Sequence, residues 1–343
     1  MKKKSWNIKI FLTWIAVILL GTLLAYELYI VYNRSEQRPL SNADIPQSTK
    51  DWFKGLIDGG SDIGGILGPD DRNPDDWGRY EDIDSMLRIE DEFFVIYYST
   101  KDSVVERKKA LVSQRYAHEA VPMGELFMKS YPYPDSLNGR KLPIYLAKTV
   151  KDFRSICNQL GHGDPGTWAI GLYCFQYGIN GVYTDGIIIS PEAWKISDLQ
   201  IDENTNDEYF KQTLWHEMNH FMYFTNWDYS QTSVPNLWFT EGLAEYFAGN
   251  YNRLLEVGNY NDLNLTEDFR GGGHTEYWAG MSAYLCLEKY YGKSKISDMV
   301  GYSYKNSIDE SVRMAIPNYT LELWNAQWHN YMDDKEYKNK YKH

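Results

Sequence analysis

The chain holds 343 residues with a formal net charge of −12, enough for one large domain or two small ones. So acidic a surface repels phosphates, which argues against nucleic acid as a partner. The three cysteines, Cys157, Cys174 and Cys286, form no CxxC or CxxxC pair, which excludes a cysteine metal cluster.

The first nine residues carry four lysines and read as a cytoplasmic N-terminus. Residues 10–32 are apolar apart from Thr13, Thr22 and Glu27, and about 20 such residues span a bilayer as a helix. No small-x-small cleavage site follows, so the run is expected to be a retained signal anchor rather than a cleaved signal peptide. Lysine before it and only Arg34 just after it orient the remainder outward, giving a single-pass cell-membrane protein with its main domain outside. Residues 33–88 are rich in Asp, Gly and Pro and read as a stalk, with one short helix near residues 50–56.

The texture changes near residue 91. Strands are predicted over residues 92–100, 142–147, 167–175 and 181–190, with helices over 102–129 and 150–160, an order that implies a small mixed sheet. Beyond residue 206 the chain reads as nearly all helix up to a frayed tail at 334–343. Its 29 Tyr and 12 Trp fit a ring-rich core better than a ring-lined substrate surface. Cys157 and Cys174 fall in neighbouring elements, and pairing between them is left open.

Residues 214–224, LWHEMNHFMYF, contain His216, Glu217 and His220 in the pattern HExxH. Residues four apart share one face of a helix, so both imidazoles reach one metal ion. Glu217 then lies about 60–100° round the helix, beside the ion rather than on it, where a base for water belongs. Leu214, Met218, Phe221 and Met222 make the opposite, core-facing stripe. Catalytic zinc takes three protein ligands, and WFTEGLAEYF at 238–247 offers the third. Glu241 follows His220 by enough chain to turn and start an antiparallel helix, and Glu245, one turn on, can hold a ligand histidine by its other N–H. The competing reading of Glu241 and Glu245 is an exposed acidic helix face. A further helix, EYWAGMSAYLCLEKYYG, ends at Gly292, and either Tyr277 in its first turn or the preceding His274 could donate to an oxyanion.

On these residues the chain resembles the gluzincin zinc metallopeptidases, and most of all the group called peptidase MA-like domains. WFTEGLAEYF is similar to that group's WxxEGxAEY element, residues 277–292 to its Tyr- and Gly-containing helix, and LELWNAQWHNYM at 321–332 to its closing Trp-containing helix. The resemblance covers about residues 90–333 and implies one Zn²⁺ on His216, His220 and Glu241. It further implies Glu217 as general base, Tyr277 as oxyanion donor, Glu245 behind a ligand histidine, and a peptide or protein substrate. Substrate is expected as an added strand on a sheet edge, for which Gly186, Ile187, Ile188 and Ile189 are the candidates. No GxMEN-type loop for a free amine is present, and VPMGE at 121–125 does not match it, so exopeptidase action is not implied.

The expected fold is therefore α+β: a single N-terminal transmembrane helix and a zincin-like domain at 89–333. That domain divides into a small mixed sheet with helices (89–205) and a mainly helical part (206–333). A non-catalytic surface module on the same frame, and a zinc hydrolase of a non-peptide envelope substrate, remain open alternatives.

Overall fold

The structure, a computed structural model, describes residues 82–127, 141–165, 169–178, 181–202, 204–228, 230–232, 235–251, 260–267 and 275–334. Among these residues no helix is long and apolar enough to cross a membrane. The fold expectation is corrected accordingly, to α+β with a five-stranded mixed sheet and helices. The anticipated spanning segment at 10–32 and the short helix near 50–56 lie outside the described residues, as does the tail from 335.

Five strands are present: β1 Leu87–Glu90, β2 Phe94–Tyr98, β3 Leu142–Leu146, β4 Gly171–Gly178 and β5 Gly181–Ile189. Helix α1 (Ser103–Phe127) carries the chain from β2 to its parallel neighbour β3, and α2 (Val150–Gln159) leads on towards the β4–β5 hairpin. The order across the sheet is β1-β2-β3-β5-β4, with β5 parallel to β3 and antiparallel to β4. β1 is not among the predicted strands, and the expected stalk boundary at residue 88 cuts through it: its four residues, LRIE, alternate but are too few and too exposed to mark a strand.

Period-2 alternation gives the sheet two buried faces. Tyr97, Tyr145, Ile188, Leu172 and Cys174 face α2, whose Phe153, Ile156 and Cys157 complete that layer. A capping box between Thr149 and Asp152 fixes where α2 begins. On the opposite face Tyr173 meets Phe221 at 5.9 Å between ring centroids, and Phe175 stacks on Phe224 at 5.0 Å. Both phenylalanines belong to α3 (Glu208–Asn226), so the edge of the sheet at β4 lies directly on this helix.

The remainder is helical: α4 (Leu237–Ala248), α5 (Thr275–Tyr291), α6 (Lys293–Ser303), α7 (Ile308–Ala315) and α8 (Leu321–Asp333). α4 and α5 cross at two glycines, a Cβ built on Gly280 falling 2.1 Å from the Trp238 carbonyl oxygen and 2.8 Å from Gly242 Cα. From α8, Trp324 donates its indole N–H to Ala283 O and Trp328 donates to Ser282 Oγ, both on α5. Trp238, Trp324, Trp328, Tyr116, Tyr223 and Tyr284 are fully buried, so much of the aromatic content packs the core. All three cysteines are buried and unbridged. Burial pushes the thiols of Cys157 and Cys286 up to about 12, and that of Cys174 well above the usual range.

Candidate metal centre

Helix α3 starts where Asp207 caps it, its carboxylate accepting from the Phe210 N–H and, through the other oxygen, from the N–H groups of Lys195 and Ile196. The Asp207 N–H donates to Tyr116 Oη on α1, which locks the start of the helix to its neighbour. Leu214, Met218, Phe221 and Met222 are fully buried, as the apolar stripe requires. The opposite face presents His216 and His220 to α4, which ends at Gly249 in the left-handed conformation.

Three side-chain atoms meet at one point. His216 Nε2 lies 3.1 Å from Glu241 Oε2 and 3.0 Å from His220 Nε2, and His220 Nε2 lies 3.2 Å from Glu241 Oε2. Two imidazole nitrogens and a carboxylate oxygen in so small a triangle repel unless a cation or proton holds them together. At zinc–ligand distances of about 2.0–2.1 Å, tetrahedral ligand atoms stand about 3.3–3.4 Å apart, so the triangle matches one face of such a site. Among the described residues this is the cluster of His, Cys, Asp or Glu able to hold a metal ion. Nitrogen with a single carboxylate oxygen suits zinc among the available divalent ions.

Around these ligands the supporting residues take distinct places. His216 Nδ1 lies 3.1 Å from Glu245 Oε1, so its N–H donates there and its Nε2 keeps a lone pair for the ion. Nδ1 of His220 is buried with no hydrogen-bond partner among the described residues. Glu241 and Glu245 are 4% and 6% exposed, which removes the alternative of a solvated acidic face. Tyr277 stacks on His216 with ring centroids 5.8 Å apart and planes 18° from parallel. Its rival His274 lies outside the described residues.

Burial alone would lower the His216 imidazole, but hydrogen bonds to Glu241 and Glu245 outweigh it and hold the metal-free imidazole well above the usual histidine range. For Glu241 burial is outweighed by His220 and His216, so its carboxyl falls below the usual range. Glu217 moves the other way: burial raises it, and the two histidines only partly offset this.

The expected substrate edge needs correction. Gly186–Ile189 belong to β5, which is paired with β3 on one side and β4 on the other, so it presents no edge. The outer strand on that side is β4, and it is the one that touches Glu217. A Cβ on Gly171 would sit 2.7 Å from Glu217 Oε1, and the Tyr173 N–H hydrogen-bonds the same carboxylate.

Next to the triad lies a cavity of about 240 Å³. Its walls include Ile170 and Gly171 at the start of β4, Gln212 and Thr213 one turn before the histidine motif, Asn250 after α4, and Trp278. None of these was singled out from sequence, although two signals were available. Gln212 precedes His216 by four and Thr213 precedes Glu217 by four, so both share the active face of the helix. A glycine inside a strand, as at Gly171, marks a close backbone approach.

Scanned against models of known families and against curated proteins, the chain matches none. Its functional reading therefore rests on its own residues.

Proposed function

We propose that this chain is a zinc-dependent peptidase of the gluzincin type, hydrolysing peptide bonds with His216, His220 and Glu241 as the metal ligands. The observation that carries this is the meeting of three donor atoms at one point, with a buried carboxylate, Glu217, beside them and against a sheet edge. Bound there, zinc would supply the Lewis-acid charge that lowers the pKa of a water and polarises a carbonyl.

The chain's own groups supply the remainder. Glu217 takes the proton of the attacking water and passes it to the leaving amine; a carboxyl raised by burial is suited to carrying that proton between them. Tyr277, stacked over His216, donates its hydroxyl hydrogen to the oxyanion. The phenol is pushed well above its ordinary value by burial and then by the surrounding carboxylates, so it stays protonated and able to donate. An extended substrate adds to the outer edge of β4 near Gly171 and passes over the base.

The test is to load the protein with zinc, incubate it with peptides of free and blocked N-termini, and read cleavage by mass spectrometry beside Glu217→Gln. The variant is expected to keep its zinc and lose about 10²–10⁴-fold in kcat. Zinc bound with no cleavage in either protein would replace the proposal with a binding module. Zinc absent under replete conditions would end it.

A further inference from the structure

The cavity beside the metal ligands is where substrate chemistry is selected, and its charge is one-sided. Glu217 and Glu245 lie on its wall together with Tyr277, and among the described residues neither Lys nor Arg lines it. Glu241 and Glu276 also act electrostatically on Tyr277. Lys195 lies over the Tyr209 ring, 4.3 Å from its centroid, and is not itself on the wall.

A cluster of acids that only served the metal would have its oxygens engaged. Glu245 does not: one oxygen accepts from His216 Nδ1–H, while Oε2 is buried without a hydrogen-bond partner among the described residues. Water cannot reach that oxygen to screen it, so its field extends into the adjoining cavity. The neutral part of the wall can accept too. Gln212 and Asn250 each offer a carboxamide oxygen beside an amide donor, and Thr213 has already donated its proton to Tyr209 O, which leaves its hydroxyl an acceptor. Trp278 adds an indole, the ring on which a cation packs best.

We propose that this cavity selects a cationic side chain, Lys or Arg, next to the bond to be cleaved. The inference rests on the peptidase reading for its substrate class, but not for its charge preference, and the two are tested separately.

The zinc-loaded full chain is given peptides identical except at the residues flanking the scissile bond, which are Lys, Arg, norleucine or Glu. On one side of the bond Lys and Arg are expected to raise kcat/KM at least tenfold over norleucine, with Glu poorest. Gln212→Lys, which places an ammonium on the wall, is expected to erase the preference, and Gln212→Glu to sharpen it. In parallel, calorimetry measures binding of the same uncleaved peptides to the metal-free protein, where Lys and Arg peptides are expected to bind tightest.

Binding in that order without any cleavage would remove the peptidase reading and keep the cation site. Equal binding of Lys and norleucine peptides, or a preference for Glu, overturns the cation site even if peptides are cut. No binding and no cleavage overturns both.

Discussion

Glu245 makes one contact that matters, and it shows how a residue that never touches the metal can govern it. By accepting from His216 Nδ1–H it leaves Nε2 unprotonated and fixes the plane of the ring. Glu245→Ala is expected to weaken zinc binding by about 10–100-fold, measured by competition with a coloured chelator. Acidity should matter as well, with a definite sign. In the metal-free protein the His216 pKa is raised, so its contribution to stability is fully present below the ordinary histidine value and is lost as pH rises through the folded value. The same proton competes with the metal, so zinc affinity should climb with pH until His216 is deprotonated and then level off. A flat profile from pH 5 to 9 would show that this proton is not displaced. That His216 and His220 share one helix face, and Glu241 and Glu245 another, was legible in the sequence, because residues four apart on a helix stand one above the other. The partnering of Glu245 with His216 rather than His220 was not, since it depends on how α4 is placed against α3.

Among the elements, α4 and α5 are held closer than side chains would allow. Their glycines meet face to face, and this contact sets how far Tyr277 reaches over His216. Gly280→Ala would drive a methyl group into the backbone of Trp238, so the helices must part. We expect a loss of about 1–3 kcal/mol in urea unfolding, and a fall in kcat, because the phenol on α5 shifts relative to His216 on α3. The helices and most strands could be read in advance. The strand order could have been read further, since Ile187, Ile188 and Ile189 are buried without a break, which marks a strand covered on both faces rather than an edge. β1 was missed because four alternating residues are too short a run to stand out, and its pairing with β2 is what holds it as a strand.

For the molecule as a whole, the proposed ligands come from two helices that only the tertiary fold brings together. His216 and His220 stand on α3, next to the sheet, whereas Glu241 belongs to α4, in the helical part. The site is thus a seam between the two parts, and a metal held there joins them. Sequence motifs named the participants because local helix geometry is periodic. They did not name the cavity, whose walls come from the start of β4, the first half of α3, the end of α4 and the start of α5. Residues that far apart in the chain share no period from which their meeting could be read.

The buried thiols offer a way to watch that seam from both sides. Cys157 on α2 and Cys174 on β4 share the layer between that helix and the sheet, while Cys286 sits in α5. Alkylation needs an accessible thiolate, and each of these groups is both enclosed and held protonated. Each therefore acts as a stopwatch for the opening of its own part. Iodoacetamide followed by peptide mapping should find all three silent in the native protein. If the two parts loosen together, the three sites should be labelled at one common rate; if the helical part opens first, Cys286 should be labelled ahead of the other two. Zinc should slow whichever opening separates Glu241 from the two histidines, so a map of three alkylation rates becomes a map of where the metal clamps the chain.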